Sequence, residues 1–426
     1  MKKTKKNLIV FVGSISSLSK NDLLTYIEQK NKKWELQILK QPEHNNGHAE
    51  DYAYVLDFDN QEEIKKWVHE FGNRIVAITA RSEKNIPLFQ KIIPYLPAHV
   101  LTPTVESLKK SIEKTEMRKA FQKYDSDITP KFKIFKSFED INIESIAKNF
   151  EFPVIVKPSG LASSLLIQSA HYPEELQQVI TNIKNKITKV YDTQKGRGAK
   201  SILIEEIIEG DVYSVDAYTD NDGKTYFMPF VKYTTSAQKG FDDFFLYERT
   251  IPSKLSKEKR NDAKNIALKG INALGLRNTT THIELIFSED GWKIIEIGPR
   301  IGGNREMMYE QCYGISHNIN DILVRANKTP ITKSKRKGYI TTIQFFPQQE
   351  GYIKKITGIK KASLLPSHFE TKQKLKKGDR SLHAKNGGAF VTQITLFNEN
   401  KAQFIEDKRK LEKMIHIETT KMRNKK

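Results

Sequence analysis

Two glutamates in this chain are placed where they could bind a metal ion. Glu284 and Glu296 lie in apolar runs on either side of residues 288–291, which read Ser-Glu-Asp-Gly and predict the turn of a β-hairpin. A three-residue loop over 289–291 would place the two glutamates directly opposite each other, with Cβ atoms about 4.5–5.5 Å apart. Carboxylates repel at that distance. Mg²⁺, which binds carboxylate oxygens together with substrate phosphates, would remove the repulsion.

The three-residue loop also fixes the pairing of the other hairpin residues. It predicts that Ser288 pairs with Trp292 and that Ile286 pairs with Ile294. Arg300 follows on the same strand alternation. A surface hairpin with two solvated glutamates is the alternative, because exposed charges are common. The apolar neighbours and the arginine favour a metal site.

This hairpin resembles the C-terminal signature of the ATP-grasp superfamily. In that family a glutamate on one strand and the sequence Glu-x-Asn-x-Arg on the next hold Mg-ATP, and residues 296–300 read Glu-Ile-Gly-Pro-Arg here. The resemblance implies that Glu284 and Glu296 bind one or two Mg²⁺ ions and that Arg300 is a catalytic residue that stabilises the transferred phosphoryl group.

One position of the signature departs from the family. Gly298 stands where the family has an asparagine that is a metal ligand, so the binding of a second Mg²⁺ stays open. His282 faces Gly298 in the predicted register and could fill part of the gap. A lone histidine on a strand is more often a packing or hydrogen-bonding residue, which is the alternative.

The resemblance extends to residues that would bind the phosphates of ATP. Lys114 matches the family's helical lysine, and Lys157 ends an apolar strand and matches the lysine that contacts the α-phosphate. The loop after that strand matches the flap that covers the phosphates, where backbone amides bind anions. This flap has few glycines, and Ser163 and Ser164 add hydroxyl groups.

An acidic segment further along is similar to the family's hinge between two lobes. The resemblance implies that the Glu205 carboxylate accepts from the adenine amino group and that the backbone of Glu206 and Ile208 binds the ring edge. Val212 stands where the family often has an acidic residue that holds the ribose, so Asp211 is the candidate for that contact. The alternative is that this acidic segment is simply the exposed end of a strand.

The activity implied by the resemblance is ATP-dependent carboxylate–amine ligation through an acyl phosphate, on amino-acid or small peptide substrates. The amides of Gly302 and Gly303, with Asn304 and Arg305 beside them, would hold a substrate carboxylate. Two alternatives stay open. One is a carboxylase-type reaction through carboxyphosphate, and the other is a basic polyanion-binding protein with a non-catalytic nucleotide fold.

The order of strands and helices divides the chain into three parts, with an α/β and α+β fold. Residues 1–104 predict a Rossmann-like α/β domain, and residues 331–426 predict a small antiparallel α+β subdomain. For residues 105–330 the resemblance implies a two-lobed ATP-grasp domain with a mobile lobe at about 135–205. Within these parts the pattern predicts strands at Val100–Leu101, Ile340–Phe346, Tyr352–Ile356 and Gly388–Phe397, and helices at Val105–Tyr124, Lys257–Leu274 and Lys401–Met414.

Composition restricts the class of protein. The 426 residues contain one cysteine, Cys312, which excludes an internal disulfide framework and suits a reducing compartment. The apolar run Leu8–Val12 is shorter than a signal peptide requires, and no run approaches the roughly 20 apolar residues of a membrane span. We therefore expect a cytoplasmic enzyme with small-molecule carboxylate and amine substrates and no membrane partner.

The net charge of +20 could indicate a nucleic-acid partner. Lysine, however, is spread along the whole chain, and the densest segments are Lys333–Lys337, Lys372–Lys377 and Lys421–Lys426. Such runs are usually solvated surface. We therefore do not expect nucleic acid to be the partner, while a homodimer stays open.

Overall fold

The computed structural model describes residues 6–42, 51–159, 161, 165–194, 201–243 and 245–420. Ser163 and Ser164, which were expected to bind phosphate, lie outside the described residues, as does the basic segment 421–426.

The N-terminal part is a parallel sheet with helices. Its strands are β1 (Asn7–Val12), β2 (Trp34–Lys40), β3 (Ala53–Val55) and β4 (Ile75–Thr79), and its helices are α1 (Ser17–Lys30), α2 (Gln61–Phe71) and α3 (Ile86–Ile92). The strand order is β3-β2-β1-β4, and every neighbouring pair is parallel. The predicted α/β fold is confirmed. The strand expected at Val100–Leu101 was wrong, because the backbone there is irregular.

Two helices replace the single helix predicted over Val105–Tyr124. They are α4 (Val105–Ile112) and α5 (Lys114–Tyr124), and the chain between them is extended at Glu113, with φ −105° and ψ 106°. The buried side of α5 carries Phe121, which is fully buried in the central core, and also Arg118, which is 3% exposed. Helix α5 therefore presents the charged side chain of Arg118 to the interior of the protein.

A four-stranded antiparallel sheet follows. Its strands are β5 (Phe132–Phe135), β6 (Val154–Pro158), β7 (Gln168–Ala170) and β8 (Ile202–Glu206), in the order β5-β8-β6-β7, and its helices are α6 (Ile143–Asn149) and α7 (Pro173–Gln194). Buried Val154 and Val156 on β6 pack against apolar residues of α7. Lys157 lies at the end of this buried strand.

The largest sheet has nine strands. They are β9 (Asp211–Thr219), β10 (Thr225–Phe227), β11 (Val231–Thr235), β12 (Leu246–Ile251), β13 (Thr279–Ser288), β14 (Gly291–Gly298), β15 (Tyr339–Phe345), β17 (His368–Gln373) and β19 (Thr392–Asn398). Their order is β14-β13-β9-β11-β12-β15-β19-β17, and β10 pairs with β9. The associated helices are α8 (Lys257–Leu274), α9 (Arg305–Tyr313) and α10 (His317–Arg325).

The C-terminal part of the chain contains a small antiparallel sheet, as predicted, and its other strands join the large sheet. Strand β15 pairs with β12 from Ile340 to Ile343, so β15, β19 and β17 extend the large sheet. The remaining strands, β16 (Gly351–Thr357), β18 (Arg380–Ser381) and β20 (His416–Thr420), form a three-stranded sheet. The last helices are α11 (Ile359–Ala362) and α12 (Lys401–Met414), and α12 has the predicted bounds.

The hairpin of β13 and β14 confirms the predicted pairing of Glu284 with Glu296 but not the turn. Ser288 pairs with Gly291, which leaves a two-residue loop, and the register then shifts between Glu284 and Leu285. The shift leaves Ile295 as an extra residue in β14, a β-bulge. The expected pairs Ser288–Trp292 and Ile286–Ile294 were therefore wrong. The shorter loop shifts the pairing by one residue near the turn, and the bulge restores the predicted pairing only beyond residue 295.

Among the described residues, no helix combines the length and apolar character that crossing a bilayer requires.

Candidate active site

The paired glutamates lie on one side of the hairpin, near the same arginine. Burial by itself would lower the pKa of Arg300, but the charges of Glu83 and of Glu296 and Glu284 outweigh it and raise that pKa. The Arg300 guanidinium donates to a Glu83 carboxylate oxygen at 3.2 Å and to the Ile301 carbonyl at 3.1 Å. The hairpin and the N-terminal part of the chain therefore meet at this arginine.

Glu284 is held in its ionised form. Its carboxylate oxygen Oε1 accepts from the Tyr233 hydroxyl at 3.3 Å and lies 3.4 Å from Nε2 of His282. Burial by itself would raise the pKa of Glu284, but His282, Arg249 and Arg305 outweigh it and lower that pKa. An ionised carboxylate whose side chain is 24% exposed is still able to bind a cation from solvent.

The donor set fits Mg²⁺ bound with a nucleotide. Among the described residues, no group of three or more His, Cys, Asp or Glu side chains is arranged to hold a metal by itself. Two opposed carboxylates suit Mg²⁺, which commonly takes one or two protein carboxylates and completes its shell with water and phosphate oxygens. Glu284 and Glu296 would be those two ligands.

A buried triad of charges occupies the predicted phosphate side. Lys157 Nζ and Arg118 Nε each lie 2.5 Å from a carboxylate oxygen of Glu205, whose side chain is 1% exposed. Burial by itself would raise the pKa of Glu205, but the charges of Arg118 and Lys157 outweigh it and hold that pKa at about 2. Glu205 is therefore ionised, whereas burial lowers the pKa of the Lys157 ammonium and the charge of Glu205 opposes that shift.

Arg118 connects this triad to the hairpin of the paired glutamates. Its guanidinium also donates to the backbone carbonyls of Ile294 at 3.3 Å and Ile295 at 2.8 Å. Glu296 is the next residue of β14. The tip of the Lys157 strand and the acidic pair are thus brought to one region by a single side chain.

Lys114 belongs to the same region. Its ammonium donates to the Leu161 carbonyl at 2.9 Å, in the segment where the flap was predicted. The positive charge of Lys114 also acts on the buried ammonium of Lys157. Two like charges near one another favour an anion between them, which agrees with the expected phosphate contacts of both lysines.

The adenine contact expected of Glu205 needs revision. Both of its carboxylate oxygens already accept from Arg118 and Lys157, so the carboxylate is not a ready acceptor for an amino group. Glu206 accepts through Oε1 from the Lys131 backbone amide at 2.9 Å and donates its own amide to the Lys131 carbonyl. The predicted role of the Glu206 backbone is therefore limited to its carbonyl group.

The remaining hinge residues surround the start of β9. Ile208 is partly buried against the apolar cluster that contains Val212. Asp211 forms an ion pair with Lys232 at 2.5 Å and accepts from the Tyr213 hydroxyl at 3.3 Å. The expected ribose contact of Asp211 would compete with Lys232.

The expected site for a substrate carboxylate is changed by the structure. The Gly302 amide donates to Asp216 at 3.0 Å, so it is occupied within the protein. Gly303 is exposed, and a Cβ there would meet no heavy atom within 4 Å. The Asn304 side-chain amide donates to Gln393 at 3.3 Å. Of the four predicted residues, Gly303 is the one that lies open to solvent.

Arg305 does not reach the solvent. It is 0% exposed, and its guanidinium donates to the Ser214 hydroxyl at 2.8 Å and to the Tyr233 hydroxyl at 2.5 Å. Tyr233 in turn donates to Glu284. Arg305 thus contacts Glu284 through Tyr233, and its burial leaves it without the direct access to a substrate that was expected of it.

The sequence reasoning missed a buried network beneath the glutamates. Asp216 is 0% exposed and accepts from His282 Nδ1 and His317 Nε2, each at 2.5 Å. Burial by itself would raise the pKa of Asp216, but the charge of His282 and hydrogen bonds from both histidines outweigh it and lower that pKa. His282 is therefore a hydrogen-bonding residue, which agrees with the alternative to a metal-ligand role.

A signal for this network was present in the sequence. Asp216 is the one charged residue among the mostly apolar and aromatic residues 212–219 of β9, where a charged residue is expected only if it is paired. In the sheet Asp216 lies directly opposite His282, and Ser214 lies opposite Glu284. The polar residues of β9 thus continue the polar side of the hairpin.

Comparison with known proteins agrees with this geometry. Residues 150–307 match the family model of the ATP-grasp domain. The chain is 24% identical over 272 residues to a phosphoribosylamine–glycine ligase of Methanosphaera stadtmanae, covering 59% of this chain and 58% of that protein. It is 26% identical over 260 residues to a formate-dependent phosphoribosylglycinamide formyltransferase of Prochlorococcus marinus, covering 56% and 58%. The chain thus spans less than two thirds of the length of these relatives.

Solved structures share the fold over almost the whole chain. An L-amino acid ligase from Bacillus licheniformis superposes with a TM-score of 0.71 at 16% identity, covering 99% of this chain and 100% of that one. N5-carboxyaminoimidazole synthetase from Staphylococcus aureus, complexed with ADP, gives a TM-score of 0.67 at 14% identity, covering 96% and 98%. At these identities the similarity establishes the fold.

Proposed function

We propose that this protein is an ATP-dependent carboxylate–amine ligase that forms an amide or peptide bond, because residues 150–307 match the family model of the ATP-grasp domain. In the proposed reaction a substrate carboxylate oxygen attacks the γ-phosphorus of ATP, and ADP leaves. An amine then attacks the acyl carbon, phosphate leaves, and the amine loses a proton. The protein supplies position and charge and needs no covalent nucleophile.

The single observation that carries the proposal is the meeting of opposite charges at β14. Glu284 and Glu296 are directly paired across the hairpin. Arg118 donates to the carbonyls of Ile294 and Ile295 in the same strand, and Lys157 shares the Glu205 carboxylate with Arg118. A nucleotide polyphosphate with its metal carries both signs of charge, so it complements such a surface.

Each side of the site has a distinct task in this mechanism. Lys114 and Lys157 would bind phosphate oxygens, and Glu284 and Glu296 would hold Mg²⁺, which neutralises phosphate charge when bound. Arg300 would face the transferred phosphoryl group, because its guanidinium lies in the field of both glutamates. When the nucleotide binds, Arg300 would exchange part of its contact with Glu83 for the more negative phosphoryl oxygens.

The substrate class is an amino acid or small peptide. The support for it is the cationic and aromatic surface beside Glu284, where the Arg249 guanidinium lies 5.8 Å from the centre of the Tyr233 ring. Arg249 is partly exposed, whereas Arg305, whose guanidinium lies 5.2 Å from the centre of the same ring, is fully buried. A substrate carboxylate would therefore bind Arg249 and the open amide of Gly303.

The proposal is tested by measuring phosphate release from Mg-ATP in the presence of pairs of amino acids. Glu296→Ala should lower the rate by at least about 100-fold, because a metal ligand is lost. Glu289→Ala is the matched control, since Glu289 is exposed in the turn of the same hairpin and should keep the wild-type rate. Full activity in Glu296→Ala would exclude the assigned metal site.

The same assay distinguishes the proposed ligase from a carboxylase-type enzyme. A carboxylase-type enzyme would release phosphate only when bicarbonate is added, and the amine would then stimulate a later step. Phosphate release that depends on an amino acid and is independent of bicarbonate supports the ligase. Lys157→Ala should lose most of the thermal stabilisation by Mg-ATP, which tests nucleotide binding without turnover.

A further inference from the structure

A cavity lies away from the candidate active site. Its volume is about 770 Å³, within the range of small-molecule pockets. It lies between the 225–230 segment, the end of β12, the first turns of α8 and the basic segment that follows residue 331. No residue of the acidic pair, of the Lys157 triad or of the Asp216 network is among the described residues that line it.

Positive charge dominates the lining of this cavity. Six cationic side chains contribute to it: Lys254, Arg260, Lys264, Lys333, Arg336 and Lys401. Among the described lining residues none is Asp or Glu, and no ion pair joins any of the six to a carboxylate elsewhere in the described chain. This contrasts with Lys157, Lys232 and Lys269, which all have acidic partners.

The cations of the cavity also disfavour one another. Lys264 is partly buried on α8, and burial, Arg260 and Lys333 all lower the pKa of its ammonium. Like charges held together without counter-ions cost free energy, and a bound anion would reverse that cost. The charge run at Lys333–Lys337 therefore contributes to a concave site and is not simply solvated surface.

Aromatic side chains form the other part of the lining. Tyr226, Phe227, Tyr313 and Tyr339 all contribute to it. The Arg336 guanidinium lies 4.7 Å from the centre of the Tyr339 ring and donates to the Tyr339 hydroxyl at 3.1 Å. Such rings offer flat faces to a planar group and hydroxyl donors to an anion.

We propose that this cavity is a second ligand site that binds a small phosphate-bearing anion, either a free polyphosphate or a nucleotide. Six unpaired cations suit a ligand with several negative charges, and the aromatic lining accommodates a base if one is present. A volume of about 770 Å³ is in the range of small-molecule pockets, and this size favours a small molecule over a nucleic-acid strand.

The test is calorimetric titration with inorganic tripolyphosphate in the Lys157→Ala background, which weakens the phosphate side of the active site. Lys264→Glu combined with Lys333→Glu should weaken tripolyphosphate binding at least about tenfold, because two attractions become repulsions. Lys66→Glu is the matched control, since Lys66 is an exposed lysine on α2. Lys333→Glu combined with Lys401→Glu is a second variant that alters two exposed side chains.

Uridine triphosphate is titrated in parallel to identify the source of the phosphate. Tighter binding of uridine triphosphate than of tripolyphosphate supports a nucleotide, and equal binding supports a free polyphosphate. Unchanged tripolyphosphate affinity in both double variants, or no binding to the Lys157→Ala protein, would overturn the proposal. The proposal would also be overturned if the double variants lost affinity for a single-stranded oligonucleotide but kept their affinity for tripolyphosphate. That result would indicate a nucleic-acid surface.

Discussion

Replacing Arg118 tests the connection between the nucleotide side and the metal side of the site. Arg118→Met keeps most of the side-chain volume but removes the charge that pairs with Glu205 and caps two carbonyls of β14. Removing one partner of a buried ion pair typically costs 3–5 kcal/mol. Because Lys157 still pairs with Glu205, we expect the lower end, about 3 kcal/mol of unfolding free energy.

Urea unfolding and calorimetry measure this loss. For a unit of 150–250 residues, about 3 kcal/mol corresponds to a fall of roughly 6–12 °C in the unfolding temperature. Lys119→Met is the matched control, because Lys119 follows on the same helix and its ion pair with Glu116 is 57% exposed on the lysine side. That exposed pair should contribute less than about 1 kcal/mol.

Comparing Arg118→Met with Lys119→Met shows whether the buried triad stabilises the protein. A loss below about 1 kcal/mol in Arg118→Met, equal to that in Lys119→Met, would refute the view that the buried triad stabilises the contact between β8 and β14. If Arg118→Met lowers the free energy of unfolding strongly but Mg-ATP stabilises it as much as the wild type, Arg118 has a structural role and no role in nucleotide binding.

Two further predictions concern α9 and the chain before it. Gly302→Ala should cost about 1–3 kcal/mol in urea unfolding, because a Cβ there would lie 2.3 Å from His282 Nδ1. Glu306→Gln should remove a pH dependence of stability. Burial, with Asp22 acting in the same direction, raises the pKa of Glu306 to about 8. The stabilisation by its proton is complete below about pH 4 and is lost as the pH rises through about 8, so the wild type should unfold at lower temperature at pH 9 than at pH 6.

Controls for these two predictions lie in the same segment. Gly303→Ala should be tolerated, because the position is open. If it destabilises as much as Gly302→Ala, the contact with His282 is not the cause. For Glu306, the buried oxygen Oε2 has no hydrogen-bond partner among the described residues. An equal loss of stability between pH 6 and pH 9 in Glu306→Gln and in the wild type would assign that loss to another group.

The paired glutamates were predictable because cross-strand pairing is local. The turn sequence and the apolar alternation place Glu284 opposite Glu296, and the structure has this pair. The bulge at Ile295 was not predictable, since Ile294 and Ile295 are both apolar and either could have faced the core. A two-residue loop with a bulge and a three-residue loop without one give the same pairing beyond residue 295.

The interior charges could not be predicted because their partners are distant in the chain. Arg305 bonds with residues 91 and 72 positions away, Ser214 and Tyr233. Composition alone predicts exposure for an arginine, since charged residues are seldom buried unless paired. The same limit applies to Glu205, whose contact with Arg118 spans 87 positions. Only the fold brings such residues together.

The pairing of β12 with β15 has a consequence for how this chain could be shortened. The C-terminal strands are joined to the large sheet along Ile340–Ile343, so a protein ending before Tyr339 would expose the backbone edge of β12. An unprotected edge of this kind invites pairing with another copy and aggregation. Residues 339–426 thus cover the edge of the large sheet, and removing them would leave an aggregation-prone remnant and not a smaller stable protein.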